Sequence, residues 1–104
     1  MLFNINHPLA PYIKTIECIE SQLFGKPSLK VGKHHFACFF KEALVVKIGT
    51  EAIQHRSKEF IGSVLFDPSG KGRPMKDWLQ IPVEYEAHWE HLISDAYNRA
   101  TADL

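Results

Sequence analysis

His34-His35-Phe36-Ala37-Cys38-Phe39-Phe40, then Lys41-Glu42, then Ala43-Leu44-Val45-Val46-Lys47-Ile48 is the stretch whose reading decides the fold. Two runs of aromatic and β-branched residues, separated by two polar ones, read as antiparallel strands closed by a tight turn. Upstream, residues 28–31 form a shorter strand, and Gly32-Lys33 returns it into the first run. Downstream, Thr50 reads as the N-cap of a helix to about residue 61, with Gly62 as its stop. Ile53, Phe60 and Ile61 are expected to face the core. Residues 63–67 return as a strand, and Pro68-Ser69-Gly70-Lys71-Gly72-Arg73-Pro74 is a loop.

Residues 75–81 read as the last strand, with Met75, Asp77, Leu79 and Ile81 on one face and Lys76, Trp78 and Gln80 on the other. Pro82 opens a final helix whose buried stripe is Tyr85, Trp89, Leu92, Ile93, Ala96 and Ala100. At the other end, Leu9, Tyr12, Ile13, Ile16, Ile19, Glu20 and Leu23 recur at steps of three and four. That spacing predicts one helix, with Pro8 or Pro11 in its first turn and Gly25 and Pro27 at its end. The expected order is α-β-β-β-α-β-β-α: an α+β domain spanning residues 1–104, with a mostly antiparallel five-stranded sheet and packed helices.

The composition is that of a globular domain, 45% apolar and 23% charged. Twelve basic residues balance twelve acidic ones. Binding to a nucleic-acid backbone draws on clustered Lys and Arg, so a formal charge of zero makes such a partner less favoured. Cys18 and Cys38 stand in apolar surroundings and read as buried free thiols, which fits a reducing compartment. Met1-Leu2-Phe3-Asn4-Ile5-Asn6 lacks a leader pattern, and no apolar run approaches the ~20 residues that cross a bilayer. A cytoplasmic protein without membrane contact is expected.

Phe24-Gly25, Val31-Gly32-Lys33, Phe36-Ala37 and Leu44-Val45-Val46-Lys47-Ile48 resemble the first half of the TfoX N-terminal domain family. Lys71-Gly72-Arg73-Pro74-Met75, Trp78 and Ile81-Pro82 resemble its second half, so the likeness runs over about residues 15–100. The resemblance implies a curved antiparallel sheet with helices packed on it, as in secretion chaperones; TfoX itself regulates competence for DNA uptake, a role that the resemblance does not carry over to this chain. It implies no catalytic chemistry. A full-length TfoX carries a second, C-terminal domain, which is not expected in a chain ending at Leu104. His34-His35 and the histidines of the last helix depart from the family pattern.

The best candidate site is the 70–74 loop. Lys71, Arg73 and Lys76 bring three cations close together beside two glycines, a set suited to a phosphate or carboxylate. The same charges also suit a soluble connection, and the Walker spacing is missing. Glu84, His88, His91 and Asp95 fall on one flank of a regular helix, a pattern that would take a divalent metal; solvated helix pairs explain it equally, and no metal is assigned. His34 and His35 point to opposite faces of their strand. Trp78, Trp89 and the phenylalanines at 36, 39, 40, 60 and 66 read as core, because the basic rows that flank a base-stacking sheet are not visible. His55, Cys38 and Asp67 are the one set whose convergence would make an enzyme.

No catalytic residue and no cofactor is expected. The function expected first is a non-enzymatic regulatory or adaptor protein with a protein partner or a second copy of itself. The alternative is a module for an anionic ligand or nucleic-acid backbone, centred on Lys71, Arg73 and Lys76.

Overall fold

The computed structural model describes residues 7–102. The Met1–Asn6 segment, and with it the reading that no leader is present, lies outside them, as does the end of the chain at Leu104.

The stretch from residue 34 to 48 forms the expected hairpin, β3 (His34–Phe40) and β4 (Ala43–Lys47). Its turn holds Lys41 and Glu42 both at positive φ, 50° and 61°, as a two-residue hairpin of this twist requires. The strand before it is β2 (Lys26–Val31), longer at its start than the sequence implied, with Gly32 in the first turn position at φ 58°. β5 (Val64–Phe66) and β6 (Met75–Ile81) close the sheet. All pairings are antiparallel, in the order β1-β2-β3-β4-β6-β5. The class is α+β, with six strands rather than five.

The sixth strand corrects the first predicted helix. Only α1 (Ala10–Thr15) is helical, and Ile19–Leu23 is β1, paired with β2 from Ile19↔Lys30 to Leu23↔Lys26. The misreading has a simple cause. Ile19 and Leu23 are four apart, which is one turn of helix but also two full periods of a strand. Pro27 is not a helix stop either; it lies in β2 opposite Gln22.

α2 (Thr50–Arg56) is shorter than expected, and Gly49, not Thr50, is its N-cap. The amides of Ile48 and Gly49 both donate to the Asp77 carbonyl, which anchors the exit of β4 on β6. Gly49 then takes φ 88° and ψ 160°, a region open to glycine alone. A Cβ there would also lie 3.1 Å from Nε of Arg99. Because the helix stops early, Ile53 and Phe60 are buried as expected, but Ile61 is 81% exposed. Phe60 is held by Tyr85 instead, ring centroids 5.0 Å apart.

After Pro82 comes a 3₁₀ segment (Val83–His88) and then α3 (Trp89–Ala102). Trp89, Leu92, Ile93, Ala96 and Ala100 are buried as the stripe predicts, while Tyr85 is only half-buried. They meet Leu29, Phe36, Leu44, Val46, Leu79 and Ile81 on one face of the sheet, with α1 and α2 completing this main core. No helix among the described residues is long and apolar enough to cross a membrane.

The other sheet face carries no helix yet holds a second core. Cys38, Val45, Phe66 and Trp78 are buried there, with Leu23, Phe40 and Met75 around them. Curl explains how. Strands in a flat sheet lie about 4.8 Å apart, so β2 and β5, four steps away, would be roughly 19 Å apart. The ring of Phe24, in the β1–β2 turn, nevertheless lies 6.5 Å from that of Phe66 on β5. The sheet bends its edges toward each other over the second core.

Candidate functional site

The pairing register places side chains on this concave face in three rows, because directly opposed residues share a face and alternate residues along a strand return to it. The first row is Ile19, Lys30 and His35, continued by Lys47 and Trp78. Its two halves meet at a bulge where β3 spends one extra residue, Phe36, between Leu29↔Ala37 and Lys30↔His35. The second is Ser21, Ser28, Cys38, Val45, Gln80 and Val64. The third is Leu23 and Lys26, then Phe40 and Ala43. Lys26, Lys30 and Lys47 thus share a face with no Asp or Glu in any of the three rows.

Local contacts fix these positions independently. The ammonium groups of Lys26 and Lys41 lie 5.2 and 5.3 Å from the centroid of the Phe40 ring. Each is within cation–π range of the ring face. Ser28 is fully buried and donates its hydroxyl to the Ala37 carbonyl at 2.9 Å. With that proton used, its contact with His35 Nδ1 at 2.8 Å requires the imidazole to donate. Burial first, and then the neighbouring charge of Lys30, lower the pKa of His35 and favour the neutral ring.

The neutral chain is therefore polarised. Residues 19–47 carry five lysines against two glutamates, whereas 50–63 and 82–102 together carry three basic residues against six acids. Salt bridges among the described residues involve Arg56, which joins Glu59 at 3.1 Å and Asp95 at 3.0 Å on the helix side. Lys26, Lys30, Lys41 and Lys47 have no such partner there, and neither do Lys71, Arg73 and Lys76. The folded sheet thus gathers three lysines, Lys26, Lys30 and Lys47, that are scattered in the sequence, while Phe36, Phe66, Trp78 and Trp89 are core as expected.

The 68–74 loop is built around an anion of its own. The Asp67 carboxylate accepts the amides of Gly70 (3.1 Å), Gly72 (2.9 Å) and Arg73 (3.2 Å) and the Ser69 hydroxyl (2.8 Å). Gly70 and Gly72, at φ 67° and 75°, let the backbone wrap that carboxylate. The loop amides are consequently not offered to a ligand; what the loop presents outward is the exposed side chains of Lys71 and Arg73, with exposed Lys76 following in β6. The hydrogen bond from Ser69 and those from the backbone lower the Asp67 pKa against a smaller opposing effect of desolvation. A depressed carboxylate contributes order above its unfolded value, and this is lost as pH falls through the folded value. Amide resonances of Gly70, Gly72 and Arg73 should therefore move together in a titration below pH 3.8, the ordinary value for this group. In Asp67→Ala the same resonances should collapse toward random-coil shifts at neutral pH.

The remaining sequence candidates are not brought together. Glu84 and His88 belong to the 3₁₀ segment and His91 and Asp95 to α3, so the regular flank is broken. His88 packs its ring against Phe60 and His91, and Asp95 pairs with Arg56. Among the described residues no group of three or more His, Cys, Asp or Glu could hold a metal ion. Cys38 is sealed in the second core, where burial pushes its thiol up to about 11, well away from a reactive thiolate. Cys18 is half-buried and likewise raised. His55 lines a groove of about 450 Å³ with Thr50 and Arg99, near α2 on the opposite side of the sheet from Cys38. Asp67 is engaged in its loop. The three do not converge.

No family model, curated protein or solved structure matches the chain. The likeness to the TfoX N-terminal domain stands on its motif residues alone and carries no functional weight.

Proposed function

We propose that this protein is a non-enzymatic module that binds an extended polyanion, a nucleic-acid backbone, across the concave face of its sheet. One observation carries the reading: a chain with zero net charge places Lys26, Lys30 and Lys47 in the rows of one helix-free face that hold no carboxylate, with Lys41 at its rim beside Glu42. Lys26 and Lys30, four residues apart, span about 13 Å along β2, and Lys47 lies two strands over, about 10 Å away. That pattern suits a chain of phosphates better than a single small anion. Lysine stems covering an apolar floor account for the partial burial of these side chains. They do not account for the absence of Asp and Glu from the three rows. Lys71 and Arg73 on the Asp67-braced loop, with Lys76 at the start of β6, add exposed positive charge at the β5–β6 end.

The test is a fluorescence titration with a labelled single-stranded oligonucleotide at several salt concentrations. Binding that weakens linearly in log–log form with salt supports the reading. Undetectable binding at about 50 mM salt removes it.

A second reading, a protein partner in the form of a second copy, has its own support. The free edge strand β5 exposes Val64 and Leu65, and Ile61 and Val83 are exposed nearby. No charge interrupts residues 61–66, so nothing there opposes edge-to-edge pairing. Light scattering on a size-exclusion column at low and high salt should report a dimer in both conditions if this edge pairs, and Leu65→Lys should return it to a monomer.

A further inference from the structure

We infer that Phe24 is a base-stacking residue, which makes the polyanion a single-stranded nucleic acid. This rests on the reading of the concave face just given and assigns it a second kind of contact.

The position of Phe24 is costly, and among the described aromatic residues it alone takes positive φ. It occupies the first central position of the β1–β2 turn at φ 53°, with Gly25 following at φ 75°. A two-residue turn of this type strongly favours Asn or Asp before Gly, because their short side chains tolerate the left-handed region. A bulky aromatic in that region is a genuine outlier, and such residues concentrate where function over-rides local preference. Nor is the ring spent on the core: it is 56% exposed, against 0% for Phe66 and 4% for Trp78 beneath it.

What surrounds the ring suits a base and its phosphates. Phe24 rests at 6.5 Å on Phe66, which in turn touches Phe40 at 5.4 Å and Trp78 at 6.2 Å, so its seat is a row of packed rings. Phe40 carries the ammonium groups of Lys26 and Lys41 within 5.3 Å of its centroid. Two like charges held at one ring repel each other, and a phosphate bound nearby lessens that repulsion. An aromatic face open to solvent beside paired lysines is the arrangement with which single-strand binders hold bases without reading sequence. A polyanion without bases would use the lysines and leave the ring idle.

The experiment compares a short oligothymidylate with an abasic strand of equal length, which keeps the phosphates and lacks the bases. Each is titrated into the wild-type protein and into Phe24→Asn. Asparagine is the residue that this turn prefers, so the substitution removes the ring while easing the backbone, and circular dichroism will report an intact fold. The wild type should bind oligothymidylate about tenfold more tightly than the abasic strand, and Phe24→Asn should bind both alike. Equal wild-type affinities for the two strands would overturn the stacking role while leaving the lysine face standing. So would an unchanged preference in Phe24→Asn. Failure of the wild type to bind either strand would remove both. The wild-type comparison decides the matter even if the variant does not fold.

Discussion

Phe66→Ala should lower the stability of the domain by about 3–5 kcal/mol in urea unfolding, a loss in the range for a fully buried aromatic truncated in a core. Most of the ordinary 5–15 kcal/mol of a domain this size would then be gone. Phe66 is fully buried although it sits on a three-residue edge strand, and its ring contacts Phe24, Phe40 and Trp78. Removing it opens a cavity that backbone relaxation cannot fill without flattening the curl. Ile61→Ser is the control: that side chain is 81% exposed, and the change should stay within about 0.5 kcal/mol. A Phe66→Ala loss below about 1 kcal/mol would show that the second core is not a core.

The second large effect concerns binding. Lys26→Gln, Lys30→Gln and Lys47→Gln together should weaken a single-stranded oligonucleotide about a hundredfold at low salt. They should also reduce the slope of log affinity against log salt by about 2, three contacts at roughly 0.7 each. Glutamine keeps most of the aliphatic stem over the apolar floor, so the fold should survive and the loss should be electrostatic. Equivalent replacement of the acid-rich side, Glu84, Glu86 and Glu90 to Gln, should leave the affinity nearly unchanged. Should the lysine variant bind like the wild type, the concave face is not where the polyanion lies.

These lysines also show where a sequence stops being legible. Strands β3, β4 and β6 could be read from composition, because each is a self-contained run bounded by turn residues. Alternation failed at the Phe36 bulge and in β6, where Met75 packs with Trp78 and not, as expected, with Leu79 and Ile81. The final stripe from Trp89 to Ala100 was equally clear, since its period has no competing interpretation. Ile19 and Leu23 were ambiguous because a spacing of four serves both periods, and resolving them took the partner strand Lys26–Val31. The loop cations at 71, 73 and 76 are adjacent in the chain and were visible at once. Lys26, Lys30, Lys41 and Lys47 are spread over more than twenty residues, with two histidines and one glutamate among them. Only register puts Lys26, Lys30 and Lys47 in rows that hold no acid, and net charge averages the asymmetry away. Asp67 hid its role for the opposite reason: it reads as one more loop residue until the amides of Gly70, Gly72 and Arg73 are seen to converge on it.

The strand order also dictates a sequence of events during folding. β1 to β4 form a meander in which every pairing is between neighbours in the chain, and β5 and β6 form a separate hairpin of the same local kind. Joining them requires β6 to dock on β4, pairing Leu44 with Ile81 across α2 and the hairpin. Local hairpins close quickly, and a distant pairing must wait for the longer intervening chain to be brought together. The contact between Phe24 and Phe66 can form only after that docking. The aromatic seat and the curl of the sheet are therefore expected to mature last, and they report the completed domain rather than either half.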